Sequence, residues 1–158
     1  MTLFVLNPNS SETVTAGIDR AIAPLRAWGT PIRCLTLAEG PPGIESQRQA
    51  DLTIAPMLAL AKAQQDAAGF VIACFGDPGL HALRDQTRLP VVGIQEAAVM
   101  TALTLGQRFG VIAIVPPSIP RHLRAFGAMG VLDRLAGDRA LGLGVAMIGV
   151  LGVTVPLN

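Results

Sequence analysis

In GFVIACFGDPG (residues 69–79) a continuous apolar run ends at a cysteine, and a glycine- and proline-rich turn begins. GFVIACF (69–75) has the pattern of a strand buried on both faces, the kind that parallel sheets contain. A structural cysteine sits comfortably inside such a run. Cys74 stands at its exit, where a side chain can reach a cleft.

The neighbouring segments extend this pattern in both directions. LFVLN (3–7) reads as a strand ending at the turn Asn7-Pro8-Asn9-Ser10. A helix is expected from Glu12 to Ala27, with Ser10 or Ser11 as its cap and Val14, Ile18, Ile22 and Leu25 at helical spacing. PIRCLTLA (31–38) alternates like a strand, and Gln47 to Gln65 reads as a helix that Pro56 kinks or breaks. Beyond the cysteine come a short helix (80–87), a strand at PVVGI (90–94), a helix (96–106) and a strand at RFGVIAIV (108–115). Pro116-Pro117 forces a turn, with Ser118 as a cap and Pro120 in the first turn of a helix carrying Leu123, Phe126 and Met129. Strand alternating with helix predicts an α/β fold, an open and mostly parallel sheet flanked by helices.

The bulk numbers exclude several functions. The 158 residues carry 12 basic and 11 acidic side chains, a formal charge of +1, so no electrostatic argument favours nucleic acid or an anionic membrane. Aromatic residues are few and Tyr is absent, which removes stacking platforms for bases. Two cysteines, Cys34 and Cys74, are too few for a disulfide framework or a cysteine-based zinc cluster, and both are expected as thiols in a reducing cytoplasm. His81 and His122 lie on different segments without ligand spacing, so no metal is expected and both read as surface or helix-end residues. From Ala140 to Leu157 the chain runs 18 residues without a charge. That length suits a membrane helix, but its glycines, valines and Pro156 favour buried strands.

In open α/β sheets ligands sit outside the carboxyl ends of the strands. Here that rule selects Asn7–Ser11, Cys74–Asp77, Gln95-Glu96 and Ile114–Ser118. Each is a strand exit followed by a helix start, whose amides stabilise negative charge and would favour a thiolate at Cys74. Most lone cysteines are inert and buried, and Cys34, inside its strand, reads as core filler. Glu96 is explained equally well as a first-turn acid. NPNSS is neither a dinucleotide fingerprint nor a phosphate loop.

Taken in order, NPNSSETVT, ACFGDPGL, PVVGIQEAA, RFGVIAIVPPSIPRHL and LAGDRALGLGV resemble the aspartate/glutamate racemase superfamily, most closely its hydantoin racemase-like branch. The resemblance covers roughly residues 3–145. It implies a cofactor-independent isomerase with two similar α/β domains and the active site between them. Residues 1–95 would be the first domain, carrying Cys74, and residues 96–158 a partial second one. It implies a small-molecule substrate, an amino acid or hydantoin, and a homo-oligomer, with no nucleic acid and no membrane. Two cysteines flank the stereogenic carbon in such enzymes, because inversion needs an acid and a base on opposite faces of a planar carbanion. Carried over by motif, Cys74 is the first-half base, Asn9 and Ser10 line the site, and Phe75 and Gly76 offer amides. Glu96 matches an acidic position that assists catalysis in glutamate racemases. Ile114 and Val115 replace a threonine pair found in many hydantoin racemases.

The family's second cysteine, in a G-C-A-G-like motif, has no counterpart, and AMIGVLGVTVPLN after Val145 does not match the family pattern. The expectation is a truncated chain with an incomplete second domain and doubtful turnover. Cys34, in the same half as Cys74, is poorly placed to replace the missing thiol. The alternatives are a single-cysteine decarboxylase or isomerase relative and an inactive fragment.

Overall fold

The computed structural model describes residues 1–142 and the backbone of residues 153–157. Four parallel strands form the first sheet: β1 (Thr2–Asn7), β2 (Ile32–Thr36), β3 (Ala67–Ile72) and β4 (Val91–Gly93), in the order β2-β1-β3-β4. Leu6 is in register with Leu35 on one side and Ile72 on the other, so the exits of β1 and β3 lie side by side. Five helices belong to the same stretch of chain: α1 (Glu12–Ile22), α2 (Gln47–Leu52), α3 (Ile54–Lys62), α4 (Leu80–Gln86) and α5 (Ile94–Leu105).

Strand alternation sorts the helices between the faces. Phe4, Leu6, Phe70 and Ile72 point to one face and pack with Met57 and Ala61 of α3 and Leu80 and Leu83 of α4. Each such fully buried side chain contributes about 1.5–3 kcal/mol. On the other face Asn7 donates to Thr15 Oγ1 of α1 at 2.9 Å, which satisfies a buried amide in the central strand.

The second sheet has the order β6-β5-β7, from β5 (Arg108–Ala113), β6 (Leu135–Ala140) and β7 (Val153–Leu157). β6 runs parallel to β5, and β7 runs antiparallel to it. With α6 (Ser118–Ala128) and α5 it encloses a second core of Val99, Ala102, Phe109, Val111, Phe126 and Val131. Phe109 and Phe126 meet edge to face there, at 5.2 Å. The charge-free tail thus supplies one strand, while residues 143–152 lie outside the described ones. Among the described residues no helix is long and apolar enough to cross a membrane.

Several boundaries differ from expectation for local reasons. The first helix stops at Ile22 and continues as a 3-10 segment, Ala23–Trp28, because Pro24 has no N–H for the helical ladder. The 47–65 helix breaks at Thr53, ahead of Pro56, whose ring would crowd the carbonyl of Leu52. β3 ends at Ile72 and β5 at Ala113, so Cys74, Ile114 and Val115 all stand in connections beyond their strands. The buried face of α6 is Ser118, His122 and Phe126; Leu123 is exposed.

At the cysteine turn a carboxylate reaches across to α5. Asp77, in the left-handed region at φ 43°, accepts the amides of Gln95 at 2.9 Å and Glu96 at 2.8 Å. It therefore caps α5, whose own N-cap position is Gly93 and supplies no side chain. Glycine is required there by close approach: a β-carbon on residue 93 would clash with the Asp77 carboxylate. We expect Asp77→Ala to cost about 1–2 kcal/mol and Gly93→Ala about 1–3 kcal/mol in denaturant unfolding. The double variant should lose less than the sum, because removing the carboxylate removes the clash.

Candidate active site

Cys74 stands two residues past β3, half-buried, at the start of a tight turn. The Asp77 amide donates to the Cys74 carbonyl at 3.0 Å and closes that turn, with Phe75 and Gly76 as its central residues. The two central amides are not consumed by the turn itself. Gly76 at φ 126° holds a conformation that a side chain rarely adopts. The Phe75 ring leaves the turn and packs on the second core, edge-on to His122 at 5.1 Å.

The neighbouring exit is rigidly organised. Asn9 Oδ1 accepts from Asn7 Nδ2 at 2.9 Å and from the Ser11 amide at 2.9 Å, so Asn9 has its Nδ2 to offer a ligand. The Ser10 amide donates to the Pro41 carbonyl at 3.0 Å, and Ser11 is the cap of α1. Asn9 and Ser10 thus lie just past the β1 exit, beside the β3 exit that leads to Cys74. Glu96 is turned to another use: its carboxylate pairs with Arg84 at 2.6 Å on the exposed side. What it contributes to the turn is its backbone amide. Ile114 and Val115 are half-buried, and the Val115 carbonyl accepts the Ser118 amide at 3.0 Å.

Electrostatics at the cysteine run opposite to the expected favouring of a thiolate. Burial pushes the Cys74 thiol up to about 12, with Arg121 pulling it down and Asp77 adding to the rise. The α4 helix that follows is too short and too weakly started, on a glycine without a capping side chain, to reverse that. Burial also lifts the Asp77 carboxyl to about 6, against the two amides that donate to it. Cys34, in β2, is pushed up to about 11 by burial and by its hydrogen bond to Asp19. It belongs to a different neighbourhood from Cys74.

Two residues at this junction, Arg121 and His122, were not expected there from the sequence. Arg121 lies beside Gly76 and donates from Nη2 to Ser118 Oγ at 3.0 Å. His122 is buried, not a surface residue: its Nδ1 lies 2.7 Å from Asp138 Oδ2, and both side chains are at most 4% exposed. The signal for His122 was present, since 118, 122 and 126 recur every four residues. For Arg121 it was a cation in the first turn of a helix, where the helix dipole disfavours one. Among the described residues no group of three or more potential ligands converges on a metal position. A cavity of about 390 Å³ lined by Lys62, Gln65, Leu83 and Thr87 lies toward the opposite end of the strands, away from Cys74.

Residues 3–155 match the family model for Asp/Glu/hydantoin racemase. The chain belongs to this racemase family. It is 39% identical over 147 residues to a hydantoin racemase from Pseudomonas sp. strain NS671, covering 92% of this chain and 59% of that protein. A hydantoin racemase from Paenarthrobacter aurescens is 34% identical over 149 residues, covering 92% and 63%. The allantoin racemase structure from Klebsiella pneumoniae superposes with a TM-score of 0.88 at 32% identity, over 93% of this chain and 61% of that one. The chain thus spans about three fifths of the length of these racemase relatives.

Two outcomes are expected from the titrations. Alkylation of Cys74 by iodoacetamide should still be accelerating at pH 10, without the plateau that an activated thiol shows near neutrality. Asp77 binds its proton more tightly folded than unfolded, so its contribution is present below its ordinary 3.8 and is lost as pH rises through about 6. The unfolding midpoint of the wild type relative to Asp77→Asn should therefore fall across that window and level off above it.

Proposed function

We propose that the chain is a cofactor-independent racemase of amino acids or their derivatives, hydantoins and allantoin-like rings included, with Cys74 as its acid/base. The observation that carries this reading is a half-buried thiol at a strand exit, in a tight turn whose two central amides take no hydrogen-bond acceptor among the described residues, inside a chain of the racemase family. The thiolate takes the proton from the stereogenic carbon, the C–H electron pair passes into the adjacent carbonyl, and an enolate forms. A proton returned to the opposite face inverts the centre; one returned by Cys74 restores it. Amides of Phe75 and Gly76 and the Asn9 carboxamide are the donors nearest to hand for the enolate oxygen. The two thiols suit a reducing cytoplasm.

Cys74 serves one face only. Cys34, the other cysteine, lies in β2 under the influence of the Asp19 carboxylate of α1 and is not placed to serve the other. This favours proton exchange with partial or full retention as the activity of the chain by itself. The test is deuterium incorporation at the stereogenic carbon of a hydantoin or allantoin in heavy water, followed by mass spectrometry and chiral chromatography. Exchange should exceed inversion, and Cys74→Ser should lower exchange by about 10²–10⁴-fold, the usual contribution of a positioned acid/base. Equal exchange by wild type and Cys74→Ser would remove the assignment.

A further inference from the structure

We propose that Arg121 is an anion-binding residue of the Cys74 site, and that the substrate it selects carries a carboxylate. The inference rests on Cys74 being the reacting group and narrows that reading to its carboxylate-bearing substrates.

Arg121 stands in the first turn of α6, against the local preference for negative charge, and that turn contains no acid. A residue that breaks a local rule inside a well-formed element points to a use beyond folding. Its guanidinium is held at the cysteine turn: Nη1 would lie 3.9 Å from a β-carbon built on Gly76, and Nη2 donates to Ser118 Oγ. Nε is buried and takes no hydrogen-bond partner among the described residues. Among the described residues no carboxylate forms an ion pair with Arg121. A half-buried guanidinium with a buried unpaired donor is costly unless an anion completes it.

The placement is deliberate in structural terms. His122, the next residue, is locked to Asp138 of β6 and packed on Phe75, which fixes the helix from which Arg121 projects. The connection that leads into α6 carries half-buried Ile114 and Val115. A carboxylate next to a thiolate puts two negative charges close together. Arg121 offsets one of them and lets the other form. Its geometry suits a carboxylate, which a guanidinium fork grips with two hydrogen bonds.

Alkylation of Cys74 by iodoacetate, an anion, against iodoacetamide, its neutral counterpart, tests this without turnover. Rates are read by mass spectrometry on the peptide carrying Cys74, in the 158-residue chain, and compared with free cysteine. The wild-type ratio of iodoacetate to iodoacetamide should exceed that of free cysteine. Arg121→Met should lower it about tenfold, the size of one charge-assisted contact, and Arg121→Lys should restore part of it. A wild-type ratio no higher than free cysteine's, or an Arg121→Met ratio equal to wild type, overturns the proposal. So does a Lys ratio as low as that of Met, because the charge would then not be the cause. A chain that fails the deuterium test still gives this ratio, so the two readings fail separately.

Discussion

The Asp77 carboxylate holds the two halves of the described chain in one working arrangement. It belongs to the turn that follows Cys74, yet its two acceptor bonds end at the first amides of α5. The turn and the helix are therefore not free to move apart without leaving buried donors unpaired. The cost is visible on both sides: Asp77 occupies the left-handed region, and residue 93 must lack a side chain. A charged cap reaching across from another element is stiffer than a local one, because its geometry is fixed at both ends. Arg124 adds a second tie, donating to Gln47 of α2 at 2.7 Å.

Fixing the turn by burial has a chemical consequence for the thiol beside it. Desolvation raises Cys74 to about 12, which makes its thiolate rare at neutral pH. The same shift makes that thiolate a stronger base than an ordinary cysteine anion. A carbon acid flanking a carbonyl is weak, so a base matched to it gains from a high pKa, provided the ionised form can be reached during binding. A single cation at the turn, Arg121, is the group positioned to make it reachable. Water exclusion and positive charge act against each other on the thiol, and burial prevails until a ligand changes the balance.

How much of this was legible follows from which interactions are local. The alternation of apolar runs and amphipathic segments disclosed the parallel sheet and the placement of Cys74, Asn9 and Ser10 beyond strand exits, because both signals lie in consecutive residues. Proline sites were legible as breaks but not in their exact place: Pro56 acts on the carbonyl four residues before it, which moved the break to Thr53. Asp77 as the cap of α5 was not legible, since 18 residues separate donor from acceptor. His122 was misread because its partner, Asp138, comes from a strand 16 residues on. Glu96 carried a family expectation that its ion pair with Arg84 gives no support, and only tertiary packing discloses that pair.

The two cysteines show why position outweighs residue type. Both thiols are raised by burial, so desolvation alone does not separate a reactive cysteine from an inert one. Their second neighbours do. Cys34 sits in β2 against Asp19, whose carboxylate is already held by Arg26 at 2.5 Å, and every nearby negative charge keeps the thiol protonated. Cys74 sits past the end of its strand with a guanidinium at the turn and no ion pair consuming that charge among the described residues. Moving a thiol from mid-strand to strand exit therefore changes more than its exposure. It changes which charge weighs more on the sulfur: the Asp19 carboxylate at Cys34, the Arg121 guanidinium at Cys74.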